Sequence, residues 1–141
     1  MIRNISYNND RIKEEIDSLV GSSFSFKERW RMKSIGTPSM QITSCSPEIH
    51  ELLEKDNNRP VCNAELRPKG IILRFRSRLE TYGLIIPFYR LSFYQNGTEW
   101  SFHGEGRFIK TMPLQSGKGL QRFKQNLLNL KGSAEQRIED L

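Results

Sequence analysis

The chain has 141 residues, 27% of them charged and 36% hydrophobic, with a net charge of +6 and a pI near 9.5. That length and composition suit one soluble globular domain over residues 1–141 and exclude a disordered chain, and no apolar run approaches the roughly 20 residues a bilayer crossing needs. Cys45 and Cys62 are too few for a disulfide framework, and MIRNISYNNDRIKEE lacks the apolar region of a secretory signal, so the expected address is the cytoplasm, with both thiols free and buried.

The first element is an amphipathic helix over residues 8–21, where Ile12, Ile16, Leu19 and Val20 recur at helical spacing, Asn9 can cap and Gly21 can stop the turn. Residues 23–36 alternate Phe24 and Phe26 with polar neighbours, continue to Trp30 and Met32, and predict a strand broken at Gly36-Thr37-Pro38. A short segment around Met40 and Ile42 leads to a second helix over 47–56, with Ser46 as cap, Pro47 at the first helical position and Ile49, Leu52 and Leu53 as the buried stripe.

From Val61 to Met112 the text becomes β-branched, aromatic and alternating, with turn residues roughly every 8 to 12 positions, as an antiparallel sheet requires. VCNAELRP and GIILRFRSRL predict two strands about the turn Arg67-Pro68-Lys69-Gly70. GLIIPFYRLSFYQ predicts a third, in which Pro87 implies an edge, a bulge or a strand start. Asn96-Gly97 is the strongest hairpin signal, and TEWSFHG and GRFIKTM follow, joined by Gly104-Glu105-Gly106. The chain closes with a helix carrying Leu120, Phe123, Leu127, Leu128 and Leu130, ended by Lys131 and Gly132; Ser133 and Gln136 have the spacing to cap one last turn through Leu141.

No enzyme motif stands out. Gly117-Lys118 resembles part of a phosphate loop, but Met112 stands where the leading glycine belongs and Gly119 where a serine or threonine does. Cys45, Cys62, His50 and His103 lack the short paired spacing of a zinc site, and no cofactor is implied. His103 and Glu105 flank a glycine turn, which makes them the pair an enzyme hypothesis would use.

The positive charge is the more informative feature. Between Arg59 and Arg90 there are seven basic residues against two acidic ones. In an extended GIILRFRSRL, Ile71, Leu73, Phe75 and Leu79 take one face, while Arg74, Arg76 and Arg78 line a strip about 13 Å long on the other. Arg67, Lys69 and Arg90 share the sign. Such a strip can hold phosphates or acidic groups, and it can equally keep the outer face of a sheet solvated. Interleaved aromatic residues, among them Phe75, Tyr82, Phe88, Tyr89, Phe93 and Tyr94, leave base stacking open, though consecutive pairs cannot all face outward.

The order of these elements resembles the pleckstrin-homology-like and GRAM-type domains found in bacterial proteins. Gly70-Ile71-Ile72-Leu73 is similar to the strand after that family's turn, Ile86-Pro87-Phe88 to its Ile-Pro-aromatic segment, and Leu120 to Leu130 to the helix that plugs one end of its bent sheet; the likeness covers residues 61–131. The helices at 8–20 and 47–56 are additions to that pattern. The resemblance implies a barrel-like, mostly antiparallel sheet with a C-terminal capping helix and a noncatalytic role in binding lipid headgroups, peptides or partner domains. No binding residue carries over from it. The expectation is therefore a noncatalytic α+β binding module whose candidate site is Arg74, Arg76, Arg78, Arg67, Lys69 and Arg90 and whose partner is an acidic protein surface or an anionic membrane, with nucleic acid as the alternative.

Overall fold

Asn9 opens the first helix as expected: its side-chain oxygen accepts hydrogen bonds from the backbone N–H groups of Arg11 and Ile12, and Gly21, with φ +86°, ends it. The computed structural model describes residues 1–56 and 59–139. Among them the chain runs β1 (Ile2–Asn4), α1 (Asp10–Val20), α2 (Phe26–Met32), β2 (Met40–Cys45), α3 (Pro47–Glu54), β3 (Val61–Arg67), β4 (Gly70–Ser77) and β5 (Glu80–Pro87). It continues with β6 (Ser92–Asn96), β7 (Glu99–Gly104), β8 (Arg107–Pro113) and α4 (Lys118–Glu139).

The strands form one antiparallel sheet of eight, in the order β1-β5-β4-β3-β2-β8-β7-β6. The molecule is α+β, and its sheet is open, with β1 and β6 as edges. β2 joins the two halves: it pairs with β3 only at Met40↔Cys62 and Gln41↔Val61, and its ladder with β8 shifts register between Ile42 and Ser44. The main core lies on one face, where Ile71, Leu73, Phe75, Leu84 and Ile86 meet Met40, Ile49, Phe102 and Ile109. α4 is laid against it through Leu120, Phe123 and Leu127, with the Phe123 ring stacked on Trp100 at 6.3 Å. A smaller core occupies the other face, where Ile16 and Val20 of α1 cover the cross-strand pair Ile72 and Ile85.

Four expectations are corrected. Residues 26–32 are helical, because Ser25 and Glu28 make a capping box: the Ser25 hydroxyl accepts from Glu28 N and the Glu28 carboxylate accepts from Ser25 N. The segment GLIIPFYRLSFYQ is not one strand; β5 ends at Pro87, a single 3-10 turn at Phe88–Arg90 follows, and β6 lies at the far edge of the sheet. β4 stops at Ser77, so Arg78 and Leu79 form the turn to β5, and Leu79 is 88% exposed instead of core-facing. Finally, α4 continues through Gly132, whose glycine costs only about 1 kcal/mol in a helix that tertiary packing holds. The proposed last turn to Leu141 reaches residues 140–141, which are outside the described residues.

Two details of the turns are local chemistry. The Asn96-Gly97 signal does mark a hairpin, but Asn96 pairs with Glu99, so Gly97, at φ +63°, is the first turn residue. Ser46 stands at the cap of α3 without capping it; its hydroxyl instead accepts from Phe108 N at 2.6 Å, fixing α3 to β8.

Candidate functional site

The six expected cations do not form one strip. Arg67, the last residue of β3, is 9% exposed, and its guanidinium donates to Glu65 Oε2 at 2.6 Å, to Asp17 Oδ1 at 3.1 Å and to the Gly21 carbonyl at 3.0 Å. Glu65 faces Ile72 in the β3–β4 ladder, which makes Arg74 its diagonal neighbour, and Arg74 Nη1 donates to Glu65 Oε1 at 2.8 Å. Two guanidinium groups and two carboxylates thus compensate one another while tying α1 to β3 and β4. Burial pushes the Glu65 carboxyl up, but the hydrogen bond from Arg67 and the charges of Arg74 and Arg67 outweigh it and hold it below its ordinary value. Arg67 and Arg74 also line a cleft of about 320 Å³ with Tyr7, Asn8, Lys13 and Asp17, between α1 and the sheet.

The remaining four point elsewhere. Arg78 sits in the β4–β5 turn at φ +59°, with its N–H on Asp56 Oδ2 and its Nε near the Lys55 carbonyl. Arg90 lies 5.4 Å over the Tyr89 ring and 3.8 Å from Glu105. Lys69 and Arg76 are exposed, Lys69 in the β3–β4 turn and Arg76 on the outer half of β4.

The interleaved aromatics are mostly inside. Phe75 and Phe88 are buried and Tyr82 is half-buried, stacked on Phe75 at 5.9 Å. Tyr89 and Tyr94 are exposed, on the 3-10 turn and on β6, away from the arginines of β4.

The residues raised for catalysis or metal are likewise separate. His103 stacks on Phe108 and meets Tyr94 edge-on, each at 5.5 Å, and burial followed by the Lys110 charge lowers its pKa, while Glu105 turns to the Met1 amino group and Arg90. His50 pairs with Glu54 at 2.8 Å on the exposed side of α3. Burial raises the Cys45 thiol, and burial followed by Cys45 raises that of Cys62 to about 12, so both remain protonated near neutrality. Among the described residues no group of three or more His, Cys, Asp or Glu side chains is placed to hold a metal ion.

One feature of the surface was missed in the sequence. On α2 and its C-cap the stripe at i, i+3, i+4 and i+7 consists of Phe26, Arg29, Trp30 and the capping Lys33, and these four line a shallow notch on the outside of the molecule. Phe26 is 83% exposed and Trp30 80%. The opposite side of α2 provides the attachment: Met32 packs on the main core, and Asn126 of α4 donates from Nδ2 to the carbonyls of Met32 and Ser34 at 2.9 and 2.8 Å. The helix is therefore fixed with its aromatic side turned away from the core. The capping-box spacing Ser25-x-x-Glu28, followed by two aromatics four residues apart, was the available signal.

In comparison with known proteins, no family model matches the chain, and neither a curated protein nor a solved structure matches it.

Proposed function

We propose that the protein is a noncatalytic, cytoplasmic binding module, built on a scaffold of the pleckstrin-homology-like kind, that docks onto an anionic surface of an acidic protein or a membrane. What supports the likeness to that scaffold is an antiparallel sheet with a C-terminal helix laid against its core face. The observation that carries the reading is the distribution of charge: Arg67 and Arg74 are consumed by Glu65 and Asp17, whereas Lys69 and Arg76 are exposed and make no ion pair among the described residues. A cation without a partner keeps its full attraction for an external anion. Arg78 and Arg90 supplement that surface with weaker freedom, each being held near oxygen acceptors.

No helix among the described residues is long and apolar enough to cross a membrane, so a membrane partner would be met from outside. The burial of Phe75 and Phe88 favours this reading over stacking of nucleic-acid bases along the same strip.

The test is retention on an immobilised acidic polymer across a salt series. Retention should fall steeply with salt, and Lys69→Glu with Arg76→Glu should weaken it about tenfold or more, since each reversal removes an attraction and adds a repulsion. Retention unchanged by that pair removes the cationic face from the proposal.

A further inference from the structure

We infer that α2 is an interfacial wedge: Phe26 and Trp30 enter the headgroup region of an anionic bilayer while the cations around them hold the phosphates. This rests on the anionic-surface reading above and names both its docking element and its occupant.

The geometry argues for it in three steps. A helix on a domain surface normally turns its i, i+3, i+4, i+7 stripe to the core, yet here that stripe is outside, and the two largest side chains on it are each at least 80% exposed. Leaving a Phe and a Trp in water is unfavourable unless something else covers them. Second, the same short element carries Lys27, Arg29, Arg31 and Lys33 against Glu28 alone, and Glu28 is engaged in the capping box. The positive area continues past α2, because Arg31 and Met32 share a groove with Pro68 and Lys69 of the β3–β4 turn. Third, the shape fits a fluid, planar partner. α2 is only about 10 Å long, too short to track a run of nucleotides, and its aromatic side chains are exposed on the outside of the molecule, where a planar surface can reach them. Trp and Phe on one side with Arg and Lys flanking them is the composition of helices that lie in a membrane interface.

Each lysine or arginine held near an anionic surface contributes about fivefold to partitioning, and this attraction is screened by salt. The aromatic pair adds a contribution that salt does not screen. A wedge of this kind is therefore partly salt-resistant, whereas docking through the sheet cations alone is not.

Trp30 is its own reporter. The chain has two tryptophans, and Trp100 is 2% exposed, so a change of emission on binding belongs to Trp30. The experiment titrates the protein with phosphatidylserine–phosphatidylcholine vesicles and with phosphatidylcholine vesicles, following emission and co-sedimentation, for the natural chain and for Phe26→Ser, Arg29→Glu with Lys33→Glu, and Lys69→Glu with Arg76→Glu. The expected result is a blue shift with the anionic vesicles only, quenched by bromine-labelled acyl chains, and a loss of about tenfold or more in partitioning for Phe26→Ser. All residues of α2 are at least partly exposed, so these variants keep the fold, which Trp100 emission checks. Co-sedimentation without a blue shift, sensitive to Lys69→Glu with Arg76→Glu but not to Phe26→Ser, overturns the wedge and leaves the anionic-surface reading standing. Binding to an acidic polymer or duplex nucleic acid but not to the anionic vesicles also overturns it. Absence of binding to any of these defeats both.

Discussion

Glu65 shows how a single carboxylate decides which arginines are available. It accepts from both Arg67 and Arg74, and it is partly buried, so its removal leaves two guanidinium groups short of an acceptor at the foot of α1. Glu65→Gln should destabilise the fold by about 2 kcal/mol, the worth of hydrogen bonds to charged groups. The same residue sets an acid limit. Its folded pKa is depressed below the ordinary 4.5, so the stability it contributes is present in full well above 4.5 and is lost as pH falls from there through the folded pKa. Urea midpoints measured between about pH 7 and pH 3 should therefore fall less steeply with acid in Glu65→Gln than in the natural chain. An unchanged pH profile would show that this network contributes nothing to acid sensitivity. Arg67 was legible as a cation but not as a tether, since Asp17 reaches it only across the packing of α1, fifty residues earlier in the sequence.

At the scale of elements, α1 rests on the sheet through a close approach that only glycine allows. A Cβ at Gly70 would lie 2.4 Å from Val20 Cγ1 and 2.5 Å from the Ile86 carbonyl oxygen, the latter a backbone atom that cannot step aside. Gly70→Ala should therefore cost about 1–3 kcal/mol in thermal or urea unfolding, where a glycine-to-alanine change without a clash would stabilise the chain. A variant as stable as the natural chain would place α1 farther from β4. This contact explains what the sequence conveyed and what it hid. Alternation in β4 is legible from Ile71 to Phe75, and the periodicity of α1 is legible too, but Ile72, on the cationic face, is apolar because α1 lands there. The helix of residues 26–32 was obscured for the opposite reason: its two aromatic residues, Phe26 and Trp30, serve no core, so a reading that equates apolar spacing with burial assigns it wrongly. The division of β5 from β6 was hidden by Phe88 and Leu91, both buried, which keep the apolar run continuous across the turn.

At the scale of the molecule, strand order was the least legible property, because it depends on β2, whose neighbours β3 and β8 come from opposite sides of the sheet's order. The β2–β8 pairing joins residues such as Met40 and Pro113, and no local pattern announces a contact of that separation. Met40 is the point where this matters energetically: it is fully buried, pairs with Cys62 on one side and Pro113 on the other, and receives the Thr111 hydroxyl at its sulfur. Met40→Ala should cost about 2–5 kcal/mol through the cavity it leaves. Because β4 and β5 contribute to both cores, Ile71, Leu73, Leu84 and Ile86 to the main one and Ile72 and Ile85 to the other, α1 has no platform once the main core opens. Helical circular dichroism and Trp100 emission, the latter read in a Trp30→Phe background, should therefore report one coincident transition in both the natural chain and Met40→Ala, displaced to lower denaturant in the variant. If the variant instead loses Trp100 emission in a first step while the rest of the sheet persists, β2 is a hinge between two separately stable halves, and the single sheet is not one cooperative unit.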